Sequence, residues 1–352
     1  MSSPPSSANA TRSLLGAMRH PIIQAPMAGA QGSTLAIAVC RAGGVGSLPC
    51  AMLTPESLRQ ELDRIRSAVD GPYNVNFFCH TPPAVDEARD TAWAERLAPF
   101  YAELGLQPPL APEGAARAPF SAALADVLQA YRPPIVSFHF GLPDAALLAR
   151  VKAWGAQVWS SATTVDEAMW LQAHGADAVI AQGLEAGGHR GHFLSDDLSL
   201  QMGTLALVPQ VARAVQIPVI AAGGIADAAG VRAALALGAA AVQVGTAFLA
   251  CDEASTSALH RQALASPQAR HTALTNVFTG RPARGISNRL MRELGYLCAQ
   301  APAFPLATAR LAALRAHAES QGCSDFTPLW SGQNAQGCQS GPAAAIVARL
   351  AG

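Results

Sequence analysis

The sequence predicts an α/β protein built as a (β/α)8 TIM barrel, with helical insertions that form a small second subdomain or lid. Three observations carry this expectation. Eight short, apolar, β-branched runs bounded by turn residues recur along the chain. They lack the polar/apolar alternation of half-exposed strands, as expected for strands covered on both faces. Helical patterns lie between most of them, and strand–helix units repeated eight times are the signature of a closed barrel. A doubly wound open sheet is the structural alternative, but eight units fill most of the 352 residues.

The strand runs are residues 22–26, 44–48, 73–78, 135–140, 157–161, 178–182, 219–222 and 241–245. The clearest helix follows Thr54-Pro55-Glu56. Thr54 can cap it, Pro55 suits the first helical position and Glu56 favours the positive end of the dipole. Leu58, Leu62, Ile65 and Val69 then form one apolar stripe. Another helix begins at Asp227, turns Val231, Ala234 and Leu235 inward, and is stopped by Gly238. Residues 1–19 are read as a flexible N-terminus. Residues 20–252 form the barrel core with an insertion at 82–132. Residues 253–325 form a helical subdomain or lid, and 326–352 a C-terminal pocket segment with a helix returning to the barrel. Insertions at the carboxyl ends of strands build lids and pocket walls, so both should cover the active face.

Composition narrows the function classes. Half of the chain is hydrophobic and 14% is charged, so a large core can be buried. Lys plus Arg equals Asp plus Glu, at 24 each, which leaves no net field to favour nucleic acid or an anionic membrane. The seven cysteines are an odd number without a Cys-x-x-Cys pair, which argues against a metal site or disulfide framework and for the reduced cytoplasm. Residues 233–250 read as a helix end plus a strand, not as a membrane span. The Ser-rich start, with Arg12 and Arg19 and no acid, faintly resembles a transit peptide, but a disordered start is the preferred reading. No heptad seam is visible, and a monomer or a homodimer is expected.

The most informative stretch is Gln182-Gly183-Leu184-Glu185-Ala186-Gly187-Gly188-His189-Arg190-Gly191, directly after the sixth apolar run. Gly223-Gly224 and Gly245-Thr246 end the next two. Loops after strands seven and eight of a barrel commonly bind phosphate, because backbone N–H groups point at it and glycine permits close approach. Either pair alone would read as plain turn glycines; both at these strands indicate a phosphate-bearing cofactor. His189, flanked by glycines, is placed for proton transfer near neutral pH. Glu185 could be a second acid/base, though a solvated or helix-capping carboxylate is preferred. His139 ends strand four and faces either core or pocket; it is assigned with Phe77 to the substrate pocket. Asn76, inside an apolar run, needs partners that a ring with donors and acceptors would supply. Ala25-Pro26-Met27 ends strand one, where the backbone can read the edge of a planar cofactor. Gly43-Gly44-Val45-Gly46 lacks the third glycine of a dinucleotide loop and is discarded.

Taken in order, Gln24–Gly29, Asn74–Phe78, Gln182–Gly191, Pro218–Gly224 and Gln243–Thr246 resemble the nitronate monooxygenase family, formerly called 2-nitropropane dioxygenases. Leu329-Trp330-Ser331-Gly332-Gln333 resembles the family's C-terminal pocket segment, and Ser137–Pro143 tilts toward its class I branch. Each motif alone is shared with other FMN barrels. The resemblance implies a metal-free, FMN-dependent monooxygenase that oxidises alkyl nitronates, such as propionate 3-nitronate, with O2 to carbonyl compounds and nitrite through a flavosemiquinone. It implies FMN contacts from Asn76, Gln182, Gly187, Gly188, Gly223, Gly224, Gln243, Gly245 and Thr246. Ala25, Pro26 and Met27 would lie beside the ring, Gln333 would close the pocket, and His189 would be the active-site histidine. The rival is an NAD(P)H-dependent flavin reductase of the same fold, an enoyl-ACP or quinone reductase, which shares the Gly-Gly-His loop. A non-catalytic barrel binding phosphorylated ligands is a further alternative.

Overall fold

The computed structural model describes residues 7–109 and 117–352. In chain order the strands are β1 (Ile22–Gln24), β2 (Ser47–Pro49), β3 (Asn74–Phe78), β4 (Ile135–His139), β5 (Gln157–Ala162) and β6 (Ala178–Gln182). They continue with β7 (Gly188–His189), β8 (Val219–Ala222), β9 (Ala241–Val244), β10 (Thr272–Thr275) and β11 (Ala283–Ile286). Eight of them form one parallel sheet in the order β1-β9-β8-β6-β5-β4-β3-β2. A parallel bridge between Ile23 and Val45 joins its two edges. There Gln24 N donates to Val45 O at 2.9 Å and Val45 N to Ile22 O at 2.9 Å. All eight runs expected from the sequence are therefore barrel strands.

Local chemistry sets the helices that wrap the barrel. Thr54 and Ser57 form a reciprocal capping box at the start of helix Pro55–Arg66, and Leu58, Leu62 and Ile65 are fully buried beneath it. Burying each such side chain contributes about 1.5–3 kcal/mol. Asp227 caps helix Ala228–Ala236 through Gly230 N, and Val231 and Ala234 are buried. Gly238, at φ +101, leaves that helix in a conformation that glycine adopts without strain. The eighth barrel helix is the C-terminal one, Ala343–Ala351. Its Ala343, Ile346, Val347 and Leu350 share a core with Leu35 and Val39 of helix Ser33–Arg41. Residues 253–341 thus interrupt the last unit.

Two expectations about organisation are corrected. The flexible N-terminus contains a helix, Ser7–Gly16; residues 1–6 lie outside the described residues. Leu15 packs against Ile23, Val45, Ile135 and Trp159 at the closed end of the barrel, and Arg12 donates to Gln216 O at 2.7 Å. An apolar stripe that plugs the barrel floor overrides the Ser-rich composition. The 82–132 insertion, of which 110–116 lie outside the described residues, divides into two parts. Helix Ala122–Tyr131 buries Leu124, Ala125 and Leu128 with Leu58 and Leu62 and belongs to the barrel. Helix Glu87–Glu103 instead packs Trp93, Leu97 and Phe100 against Phe278, Leu290, Leu314 and Phe326. The helical subdomain is therefore made from both insertions.

Candidate active site

Residues from or just beyond all eight barrel strands line one cavity of about 330 Å³ at their carboxyl ends. The barrel interior grades from apolar to polar toward it. Ile23, Ile135, Trp159 and Ile220 fill the closed end, whereas Asn76, His139, Ser161, Gln182 and Gln243 line the mouth. A face of amides, hydroxyls and imidazoles above a packed floor suits a polar ring system.

The glycine-rich loop after β6 is held from several sides. Gly188 and His189 form β7, which pairs antiparallel with β11 and, through it, β10. The His189 carbonyl accepts from Gln182 Nε2 at 2.9 Å and is 3.1 Å from His139 Nε2. Gln182 Oε1 accepts from Gly191 N at 2.8 Å. Arg190 is fully buried and donates to Gln201 Oε1, Gly183 O and Gln182 O at 2.7–2.8 Å. Three neutral acceptors satisfy this cation, and burial still lowers its pKa to about 9. Such a residue fixes the loop, since an unmatched buried guanidinium would be strongly destabilising.

His189 itself stands in an aromatic enclosure. Its ring centroid is 5.3 Å from Phe304, 5.5 Å from Trp330, 6.2 Å from Phe78 and 6.3 Å from Phe140. Burial holds its pKa well below the usual histidine value, and the positive charges of Arg117 and Arg281, with those that His139 and His80 gain on protonation, act in the same direction. Burial likewise lowers His139 to about 3, opposed by its hydrogen bond to the His189 carbonyl. Both imidazoles are neutral near pH 7. The cavity lining includes Arg117 and Arg315 and no Asp or Glu among the described residues. A small anion entering it meets cations and a neutral imidazole able to accept or share a proton.

Most residues selected from the sequence meet at this cavity: Ala25, Pro26, Met27, Asn76, His139, Gln182, Gly187, Gly188, His189, Gly223, Gly224, Gln243, Gly245 and Thr246. Two do not. Phe77 is 1% exposed and packs against Phe120 behind the barrel wall, with ring centroids 4.8 Å apart. Side chains alternate along a strand, so the parity that turns Asn76 inward also turns Phe78 inward, and Phe78 lines the cavity instead. Gln333 is exposed and borders a neighbouring cavity. Its backbone N donates to Glu185 O, and its neighbours Gly332 and Asn334 reach the main one. Glu185 caps: its carboxylate accepts from Thr204 N and Oγ1 at 2.8 Å, at the start of helix Thr204–Ala214. Sequence reasoning missed Phe304, Arg117 and Thr279, which come from insertions that carry no strand signal, whereas Trp330 lies in the C-terminal pocket segment to which the resemblance pointed.

The cavity also has features that fit a phosphate-bearing planar cofactor. Gln243 Oε1 is buried without a partner, as an acceptor awaiting a donor would be. A Cβ on Gly187 would lie 2.5 Å from Gly332 N, and one on Gly223 2.8 Å from Thr204 Oγ1. Gly223 and Gly224 have φ of +121 and +71. These turns keep backbone, not side chain, at the cavity surface. Among the described residues no group of His, Cys, Asp and Glu could hold a metal ion, and no helix is long and apolar enough to cross a membrane.

Comparison with known proteins bears on this geometry. The family model for nitronate monooxygenase matches residues 11–352. A nitronate monooxygenase of Pseudomonas aeruginosa is 43% identical over 339 residues, covering 96% of each chain. Among solved structures, nitroalkane oxidase from Streptomyces ansochromogenes superposes with a TM-score of 0.87 at 40% identity, over 97% of this chain and 96% of that one. FabK from Thermotoga maritima superposes with a TM-score of 0.72 at 29% identity, over 97% and 94% of the two chains.

Proposed function

The chain belongs to the nitronate monooxygenase family, and on that premise we propose that it uses FMN and O2 to oxidise small alkyl nitronates to carbonyl compounds and nitrite. The observation that carries the reading is the neutral His189 imidazole over a cavity lined by two arginines and, among the described residues, no carboxylate. That environment favours an anion, and a nitronate is one.

Gly223, Gly224, Gly245 and Thr246 would hold the phosphate of FMN. Asn76, Gln243 and the segment Ala25–Met27 would meet its ring and chain, and Gly187 and Gly188 would leave room for it. Gln182 would act chiefly through the loop, since both ends of its amide already bind the His189–Gly191 backbone. Bound FMN supplies the redox chemistry with O2. The chain's residues orient substrate and manage charge. Phe78, Phe140, Phe304 and Trp330 exclude water around His189 and strengthen every electrostatic contact there. His189 would take the proton from a neutral nitroalkane, or donate to an oxygen of a nitronate whose charge raises its proton affinity.

The test is purification, identification of the flavin released, and oxygen uptake with propionate 3-nitronate. His189→Asn should stay yellow while turnover of neutral nitroalkane falls about 100-fold or more. Unchanged turnover in that variant would remove His189 from the chemistry.

A further inference from the structure

We propose that Thr279 is a positioning residue that gives His189 its working tautomer, with the proton on Nε2 and the lone pair of Nδ1 turned over to substrate. This rests on the reading of His189 as the acid/base. Thr279 lies on the turn between β10 and β11 and is 2% exposed. Its Oγ1 is 2.9 Å from His189 Nε2 and 3.4 Å from Arg281 O. A threonine hydroxyl carries one proton and two lone pairs, whereas a carbonyl can only accept. Donation to Arg281 O leaves Oγ1 to accept from Nε2–H. A neutral imidazole has a single N–H, so Nδ1 is then bare.

The surroundings make this contact a built one. The His189 backbone is tied down by Gln182, His139 and β11, and Arg190 N donates to Pro282 O at 2.8 Å. On the other side, Gly280 N donates to Asn276 O at 2.7 Å. A Cβ on Gly280 would sit 2.0 Å from Pro302 O, so that turn is pressed against the Pro302–Phe304 backbone. The Arg281 guanidinium lies over the Phe140 ring at 4.2 Å. Both partners of the hydrogen bond are therefore anchored independently. With this tautomer, the C–H bond of a neutral nitroalkane breaks toward Nδ1. The carbon's electron pair moves into the nitronate, and His189 becomes an imidazolium that still donates from Nε2 to Thr279.

The test combines spectroscopy and kinetics. In protein labelled with 15N-histidine, His189 should show a protonated Nε2 and a bare Nδ1, and Thr279→Val should populate the other tautomer. In that variant kcat for neutral nitroalkane should fall about 10–100-fold, turnover of preformed nitronate less than about 3-fold, and Thr279→Ser should restore both. A wild-type imidazole protonated on Nδ1, or a Thr279→Val variant with unaltered tautomer and kcat, would overturn the proposal. The wild-type spectrum decides even if Thr279→Val does not fold. Full activity in His189→Asn would instead sink the acid/base reading while leaving the tautomer assignment standing.

Discussion

Replacing Gly187 by alanine tests whether the C-terminal strap is part of the cavity wall. The new Cβ would lie 2.5 Å from Gly332 N, 2.6 Å from Ser331 C and 3.0 Å from Ser331 Cα, all backbone atoms that cannot rotate away. The strap must move, and it is held by Gly332 N donating to Thr246 Oγ1 and Gln333 N to Glu185 O, each at 2.9 Å. Losing two such bonds costs about 1 kcal/mol each, and overpacking adds about 1–2 kcal/mol, for a total of about 3–4 kcal/mol. In a chain of this size that lowers Tm by about 4–5 °C. Gly188→Ala is the internal comparison. Nothing lies within 4 Å of its Cβ but φ is +73, so backbone strain alone should cost about 1 kcal/mol. Gly71→Ala, with open space and no positive φ, should be silent. The assay is thermal unfolding of the three variants at one scan rate, with flavin per protein measured after gel filtration. Gly187→Ala that melts like Gly71→Ala and retains full flavin would refute the packing argument.

Other outcomes follow from the same geometry. His139 is neutral when folded because its pKa is lowered to about 3, whereas the unfolded chain binds a proton below about pH 6.5. Its contribution is complete above that value and is lost as pH falls toward 3, amounting to about 2 kcal/mol at pH 5. Urea unfolding at pH 7.5 and pH 5 should therefore show a smaller pH effect in His139→Gln; an equal effect would exclude this group. Arg117→Gln should raise KM for anionic nitronates about 10-fold and weaken the dependence of kcat/KM on ionic strength, as read by oxygen uptake at low and high salt. A KM indifferent to the change would show that the Arg117 charge does not act on substrate. Phe304→Ala opens the wall 5.3 Å from the His189 ring and should admit bulkier nitronates relative to small ones in paired kcat/KM measurements; an unchanged ratio would place Phe304 outside the substrate path.

The barrel was legible because strands buried on both faces leave continuous apolar runs, and all eight occur where those runs lie. The glycine turns were legible for a related reason, since Gly223 and Gly224 occupy φ values that favour glycine. Phe77 was misassigned although the remedy lay in the sequence, because placing Asn76 inward fixes Phe78, not Phe77, on the same face. Arg190 gave no such signal. A charged residue in a polar loop reads as solvated, and only the convergence of Gln182 O, Gly183 O and Gln201 Oε1 makes it a buried clamp. Pairing of β7 with β11 joins segments about a hundred residues apart, and the shared core of Trp93 with Leu290 and Phe326 joins segments about two hundred apart. Local periodicity reports which face of an element is buried, not which distant element covers it, so the packing partners of the expected lid helices and the contact of Thr279 stayed out of reach.

The most direct measurement is the visible spectrum of the purified protein under nitrogen, before and after addition of propionate 3-nitronate, with NADH added to a second sample. The account expects a flavin spectrum that the nitronate perturbs at once and NADH leaves unchanged. Rapid bleaching by NADH with no response to the nitronate, or a colourless protein, would contradict it.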